Sequence, residues 1–275
     1  MADPTTEDDF QMTAFTEQIF RSVVLFYSVP NDKELVVGSG VLLSYKGQKY
    51  LVSAFHNFGL DDQGLPEVVH AWNAARFKLT DGKPLSFEDN SKIPAHRMSI
   101  DRGIPLTVSD PDQVKIDKPH DLVAVRLSAT GKQYDAVHFV DLDTEAFNGE
   151  LQKDMDLVIV GNPFSGVVPI SNGQKALVAH LDHVLYDPTI DTSRVASRYL
   201  SPDYMFMPFS LHKESVLPAG FSGAGVFTHV PPPDDGVWVA GSRVVGVVLR
   251  HFERQQMLLV VRTETIIKFL QETSQ

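Results

Sequence analysis

Short apolar runs rich in valine recur along the chain, and polar turns separate them. β-Branched residues favour the pleated, half-buried surface of a sheet, and runs this short rarely form helices. Gly47, between two such runs, predicts a hairpin turn. The pattern therefore predicts an all-β fold. The runs expected to form strands are residues 23–27, 35–44, 49–54 and 122–127, then 156–160, 175–185, 204–209, 225–230, 237–249 and 257–261.

A polar stretch divides these runs into two sets with similar numbers of strands. Residues 131–152 are predicted to link a first β-barrel, residues 21–130, to a second, residues 153–262. Residues 1–20 form an acidic N-terminal segment, and residues 263–275 open with a threonine-to-carboxylate signal that predicts a C-terminal helix. We expect two packed antiparallel barrels of the six-stranded type, followed by this helix.

Charge and composition exclude several functions. The net charge of −11 argues against nucleic-acid binding, because phosphate contacts need a basic surface. The chain has no cysteine, which excludes disulfides, thiolate catalysis and cysteine-ligated metals. Residues 1–17 lack the basic and apolar regions of a secretory signal, and no apolar run approaches the length of a membrane span. We therefore expect a cytoplasmic protein that binds neither nucleic acid nor membrane.

One turn combines the parts that an acyl-transfer nucleophile requires. Residues 220–225 read Gly-Phe-Ser-Gly-Ala-Gly, so a tight turn can hold the hydroxyl of Ser222 exposed. The backbone N–H groups of Gly220 and Ser222 can then point at one spot beside that hydroxyl, as donors to a developing oxyanion. Small residues are common in turns, so the significance of this motif depends on a base and an acid elsewhere.

A histidine and an aspartate stand at the ends of two predicted strands. His56 follows the run 49–54, where an imidazole can stand at the rim of a barrel. Asp121 opens the run 122–127, and a carboxylate at a buried strand needs a partner such as a histidine N–H. The chain order His56, Asp121, Ser222 is that of chymotrypsin-type triads and differs from the order in subtilisins and α/β-hydrolases.

Several segments carry motifs that support one another. They are Gly-Ser-Gly-Val-Leu-Leu at 38–43, Leu-Val-Ser-Ala-Phe-His at 51–56, Asp-Leu-Val-Ala-Val at 121–125, Gly-Asn-Pro at 161–163, the serine turn at 220–227 and Arg-Val-Val-Gly-Val-Val at 243–248. In this order they resemble the trypsin-like serine peptidase family, and the Gly-Asn-Pro motif resembles its bacterial members. The likeness covers roughly residues 20–270.

The resemblance implies a chymotrypsin-like double barrel with the active site between the barrels. It implies a serine endopeptidase that forms an acyl-enzyme intermediate, with Ser222 as nucleophile, His56 as general base and then acid, and Asp121 orienting the imidazole. The N–H groups of Gly220 and Ser222 would form the oxyanion hole. Such an enzyme needs no cofactor and no metal, and its partner is a protein or peptide substrate.

Substrate specificity is less readable, because loop lengths vary in this family. The residues assigned to substrate binding are Val216, Val248, Leu249 and Arg250. Val216 occupies the position where trypsin-like pockets carry their selective acid, so a preference for Arg or Lys is disfavoured. Arg250 and His251 could attract an acidic group of the substrate.

Two departures from the family pattern affect the site. Phe221 stands where secreted digestive members carry an Asp that pairs with a new N-terminus, so packing must hold the serine turn and zymogen activation is not expected. Leu249 replaces a serine that contacts the triad Asp in many members, which leaves Asp121 one partner fewer. An alternative stays open: a catalytically silent or partner-activated protein of this fold that binds through its cleft or through the loops of residues 59–118.

Overall fold

The computed structural model describes residues 15–16, 18–28, 35–57, 59–60, 66–67, 70–73, 78–79, 98–99, 114–127, 137–161, 167–169, 175–177, 180–209, 220–229 and 241–271. Within these ranges, residues 15–16 and 18–22 are helical, and the C-terminal helix α1 spans Thr263–Gln271. The strands are β1 (Val23–Ser28), β2 (Leu35–Tyr45), β3 (Gln48–Ala54), β4 (Gly59–Leu60), β5 (Pro66–Glu67), β6 (His70–Asn73), β7 (Lys78–Leu79), β8 (Met98–Ser99), β9 (Val114–Asp117), β10 (Leu122–Arg126), β11 (Val140–Asp141), β12 (Asp156–Gly161), β13 (Val167–Pro169), β14 (Lys175–Leu177), β15 (His180–Leu185), β16 (Tyr204–Pro208), β17 (Gly225–His229), β18 (Ser242–Phe252) and β19 (Met257–Arg262).

The first large sheet has the strand order β6-β1-β2-β3-β10-β9, with antiparallel pairs throughout this path. The predicted hairpin joins β2 to β3 through Lys46 and Gly47, whose φ angles are +48° and +73°. Positive φ at both residues matches the right-handed twist of the flanking strands. From the stretch predicted as a linker, β11 joins this sheet by pairing in parallel with β2.

The second large sheet has the order β15-β12-β17-β18-β19-β16. Its edge strands β15 and β16 approach each other, and α1 packs against β18 and β19. The run 175–185, predicted as one strand, contains both β14 and β15. β18 continues past the predicted end at 249 to Phe252, because its polar residues Arg250 and His251 still pair with β19; residues 237–240 of the same prediction lie outside the described residues.

A continuous apolar core joins the two sheets. Val41 and Val52 of the first sheet and Val158 and Phe227 of the second are fully buried in one cluster. The prediction of an all-β fold with two large, mainly antiparallel sheets and a C-terminal helix is confirmed. Among the described residues, no helix has both the length and the apolar character that crossing a membrane requires.

Candidate active site

The register between β3 and β10 brings the predicted base and acid together. Leu122 pairs with Ala54, and the Phe55 N–H donates to the Asp121 carbonyl at 2.7 Å. His56, in the short 3-10 turn after β3, therefore stands beside Asp121, at the start of β10. The His56 backbone N–H donates to Asp121 Oδ1 at 3.1 Å, and its Nδ1 lies 2.7 Å from Asp121 Oδ2.

This pairing determines which imidazole nitrogen is available for chemistry. Nδ1 carries the proton that it donates to the carboxylate, so Nε2 of a neutral ring is the acceptor. Within the described part of the chain, His56 Nε2 has no hydrogen-bond partner. The His56 side chain is 43% exposed and that of Asp121 is 24% exposed, so the pair lies at the surface with the ring open to a reactant.

Asp121 adopts a backbone conformation that is uncommon outside glycine. Its φ is +56°, and its N–H closes a turn onto the Lys118 carbonyl at 3.2 Å. Aspartate tolerates the left-handed region better than most residues, because its short polar side chain can bond locally. Here both carboxylate oxygens instead bond to His56, a tertiary contact that helps to hold the turn in this conformation. Such strain is common at functional sites, where the surrounding structure maintains it.

The serine turn, which leads into β17 of the second large sheet, is hydrogen-bonded directly to β2 of the first large sheet and to the turn after β3. We call the parts of the molecule built on these two sheets its first and second halves. The Ser39 N–H donates to the Ser222 carbonyl at 2.8 Å, and Ser39 Oγ donates to the Gly220 carbonyl at 2.8 Å. The Asn57 amide donates to the same Ser222 carbonyl at 2.7 Å. Because Asn57 follows His56 in the chain, the turn that carries the predicted base also holds the turn that carries the predicted nucleophile.

Neither Asn57 nor Ser53, whose buried hydroxyl accepts a bond from the Asn57 amide, was predicted from the sequence as part of the site. Asn57 is 8% exposed and also donates to Ser53 Oγ at 3.1 Å, while Ser53 Oγ donates to the Ser39 carbonyl at 2.6 Å. Gly38 leaves room for this amide, since a Cβ at that position would overlap it. The available signal was the presence of polar residues in a stretch that is otherwise apolar and buried.

Packing contributes to the serine turn as predicted, but it acts together with these hydrogen bonds. The Phe221 side chain is fully buried and packs edge-to-face on Phe209, with ring centroids 5.8 Å apart. Gly220 has φ = +101°, a conformation that costs least at glycine because it has no Cβ. In the described structure, the N–H groups of Gly220 and Ser222 donate to no other group, so both are available to an incoming oxygen.

The Ser222 hydroxyl bonds to a carbonyl of the second half. Ser222 Oγ donates to the Leu249 carbonyl at 3.2 Å, and no hydrogen bond joins it to His56 in the described residues. The ladder between β18 and β19 shifts register between Val248 and Arg250, so Leu249 lies in a bulge. Bulges redirect backbone groups and are frequent beside active sites. This bulge directs the Leu249 carbonyl at the Ser222 hydroxyl.

The residues assigned to substrate binding differ in their exposure. Val216 lies outside the described residues. The side chains of Val248 and Leu249 are each 1% exposed, so both are core residues and could meet a substrate only through their backbone. The Val248 carbonyl accepts from the Gly223 N–H at 2.6 Å. Arg250 is the first exposed side chain after the bulge.

His251 is a buried polar group that the predicted mechanism does not use. In the part of the chain that the structure describes, its Nε2 is buried without a hydrogen-bond partner, and its ring packs edge-to-face on Phe209 at 5.8 Å. Burial lowers the pKa of His251 below the ordinary value of 6.5, so the ring is neutral at neutral pH.

This environment predicts an acid-sensitive contribution to stability. Between the lowered folded pKa and the ordinary value, the unfolded chain binds a proton that the folded chain does not bind. The contribution of His251 to the free energy of unfolding should therefore fall as the pH drops below about 6.5. Urea unfolding at pH 7.5 and 5.5 tests this, and His251→Phe, which keeps a ring, should lose less stability between the two values than the wild type.

His183 supplies a control of opposite sign. Its hydrogen bond to Asp156 raises the pKa of His183, so its contribution is full below the unfolded value and is lost as the pH rises through the folded value. His183→Gln should therefore lose more stability on acidification than the wild type. An unchanged pH dependence in His251→Phe would contradict the role given to that burial.

Compared by sequence, the chain matches no protein-family model and no curated protein. Among solved structures, it is similar to the serine endoprotease from Yersinia pestis, with a TM-score of 0.49 and 14% identity over 99% of this chain and 68% of that one. So distant a likeness says nothing about the chemistry of this chain, which rests on the geometry of its own residues. Among the described residues, no three His, Asp or Glu side chains come together as ligands for a metal ion.

Proposed function

We propose that the protein is a serine endopeptidase that hydrolyses peptide bonds in protein substrates. The observation that carries the proposal is the bond from Asn57 to the Ser222 carbonyl, at 2.7 Å, which holds the serine turn against the turn of His56. The His56–Asp121 pair leaves Nε2 available, and the serine turn leaves two N–H groups available. A base, a hydroxyl and two oxyanion donors are the groups that acyl transfer requires.

The proposed reaction starts with a rotation of the Ser222 side chain from the Leu249 carbonyl towards His56 Nε2. As Oγ bonds to the substrate carbonyl carbon, His56 takes the hydroxyl proton, and the N–H groups of Gly220 and Ser222 bind the oxyanion. The imidazolium then gives that proton to the amine nitrogen, the C–N bond breaks, and the acyl group remains on Ser222. Water repeats the sequence on the ester and releases the acid and the free hydroxyl.

An exposed strand edge supports a peptide substrate. β17 pairs with β18 only as far as Val247, and beyond Val248 no described strand covers that edge of β18. The edge begins at Leu249, whose carbonyl accepts the Ser222 hydroxyl. An extended peptide can add there as a further strand and place its backbone beside the nucleophile.

The second candidate is a partner-activated or catalytically silent binding protein of the same fold. The specific observation in its favour is the direction of the Ser222 hydroxyl, which bonds to Leu249 instead of His56. In a latent protein, a partner that moved this carbonyl would release the hydroxyl to the base. In a silent protein, the exposed edge of β18 would bind a peptide without cleaving it.

Labelling with a fluorophosphonate tests the proposal, because this probe reacts only with an activated serine hydroxyl. We expect the wild-type protein to be labelled, with mass spectrometry placing the phosphonate on Ser222 and no label on Ser222→Ala. Ser197→Ala, which alters an exposed serine of the second half, should label like the wild type. Unlabelled wild-type protein that still binds peptides would support the silent binding protein instead.

A further inference from the structure

Two arginines flank one tyrosine ring on the second half of the molecule. The guanidinium carbon of Arg198 lies 4.6 Å from the centroid of the Tyr199 ring, and that of Arg250 lies 6.0 Å from it. Arg198 Nη2 also donates to the Tyr199 hydroxyl at 2.9 Å. An aromatic face attracts a cation, so the ring brings the two positive charges together against their mutual repulsion. We call Arg198, Tyr199 and Arg250 the cationic wall.

The wall is linked to the proposed nucleophile through β18. Arg250 directly follows Leu249, whose carbonyl accepts the Ser222 hydroxyl at 3.2 Å. Tyr199 packs edge-to-face on Phe252, also in β18, with centroids 5.9 Å apart. The aromatic contact with the end of β18 fixes Tyr199 to the same strand whose open edge would receive a peptide.

A second aromatic contact connects the wall to the first half. The Tyr199 ring packs edge-to-face on Tyr204 at 5.9 Å, and Tyr204 packs on His120 at 5.7 Å. His120 is the neighbour of Asp121 in the chain. These ring contacts therefore link the wall to the turn that carries Asp121.

The charge of the wall is unbalanced within the described structure. The chain has a net charge of −11, yet neither Arg198 nor Arg250 forms an ion pair with a carboxylate of the described residues. Both side chains are exposed, and most of their N–H donors have no acceptor. A planar guanidinium is shaped for a carboxylate, which can accept two N–H bonds at once.

We propose that the cationic wall is a specificity-determining subsite for an acidic side chain of the substrate. This inference rests on the proposed peptidase function and names its substrate class: peptides with Asp or Glu near the bond to be cleaved. A single carboxylate fits better than a polyanion, because the net charge of the chain repels a large negative partner at long range. The wall then binds a single carboxylate locally, although the negative charge of the chain as a whole does not attract anions.

Peptide mixtures that differ in one charge test the subsite. Each mixture has Glu or Gln fixed at one position around the scissile bond and random residues elsewhere. For the wild type, we expect kcat/KM to be about tenfold higher with Glu at one of these positions, the effect of a carboxylate that accepts bonds from two guanidinium groups. Added salt should reduce this ratio, because the side chains are exposed.

Variants of the wall should remove the preference for Glu over Gln. Arg198→Gln and Arg250→Gln should each lower the Glu-to-Gln ratio, and the double variant should bring it close to one. Tyr199→Phe keeps the ring and should keep most of the ratio, whereas Tyr199→Leu should lose it. Arg254→Gln is the matched control, because Arg254 is also exposed but lies in the turn after β18. Arg254→Gln should keep the wild-type Glu-to-Gln ratio and react with the fluorophosphonate at the wild-type rate.

Binding to Ser222→Ala separates this proposal from the proposed function. Fluorescence polarisation with the same two labelled mixtures should show tighter binding of Glu peptides, and the double wall variant should abolish the difference. Such binding without any hydrolysis by the wild type would support the proposal that the cationic wall binds an acidic side chain, and it would overturn the peptidase proposal. Equal binding of the Glu and Gln mixtures would overturn the proposed role of the cationic wall, whether or not the protein is a peptidase. A preference for Glu that persists in the double variant would overturn it too.

Discussion

Alanine in place of His56 is expected to lower kcat for peptide hydrolysis about a millionfold, and asparagine in place of Asp121 about ten-thousandfold. His56→Ala removes the proton acceptor itself. Asp121→Asn keeps the shape, but its amide can donate to Nδ1 and so favours the tautomer that carries its proton on Nε2. The base then faces the Ser222 hydroxyl with a proton instead of a lone pair. Steady-state rates with the best peptide from the mixtures measure both losses.

The chain contains a matched control for these changes. His183 and Asp156 form a second exposed pair, with Nδ1 3.0 Å from Oδ2, on β15 and β12 of the second sheet. His183→Ala and Asp156→Asn remove the same chemical groups from a pair that does not contact the serine turn. We expect kcat to stay within about twofold of the wild type in both, since surface changes of this kind seldom exceed 0.5 kcal/mol. If the variants of both pairs lost kcat to a similar extent, the effect of His56 would be explained by a loss of folded protein and not by catalysis. Thermal unfolding of all four variants would show such a loss of stability.

The fold follows from features that are local in the sequence. Valine-rich runs between polar turns predict the large strands, and the glycine after Lys46 predicts the hairpin of β2 and β3, because each feature limits the backbone of its own neighbourhood. The parallel pairing of β11 with β2 has no such signature. Two residues in a polar stretch carry no period, and their partner strand lies far back along the chain. The bulge at Leu249 has no sequence signature either, because the run of apolar residues continues through it.

The candidate site also contains residues that the sequence predicts and contacts that it does not predict. His56 and Asp121 are recognisable because each stands at the end of an apolar run, where a polar residue is conspicuous, and Ser222 is recognisable because it lies in a glycine-rich turn. The roles of Asn57 and of the Leu249 carbonyl depend on which backbone group faces which, and the sequence does not encode that at short range. An asparagine amide that crosses from one half to the carbonyl of the other is a tertiary contact, visible only once the two sheets are packed.

Alanine in place of Gly223 is expected to destabilise the protein by about 4 kcal/mol or more and to abolish fluorophosphonate labelling. Gly223 has φ = +86°, and a Cβ there would overlap the Ser39 carbonyl oxygen and Ser53 Oγ. Neither neighbour can retreat cheaply: Ser39 donates to the Ser222 carbonyl, and Ser53 Oγ donates to the Ser39 carbonyl at 2.6 Å. The methyl group must therefore push the serine turn away from β2. Urea unfolding and probe labelling measure the two consequences.

Gly47→Ala separates steric overlap from the cost of a left-handed backbone. Gly47 has φ = +73°, close to that of Gly223, but a Cβ there would meet nothing within 4 Å. We expect a loss of about 1 kcal/mol, the ordinary cost of this conformation for an L residue, with labelling unchanged. The difference between the two losses is then the cost of the overlap with Ser39 and Ser53. Equal losses in both variants would refute the idea that close approach to Ser39 sets the position of Ser222, because backbone conformation alone would then account for the effect.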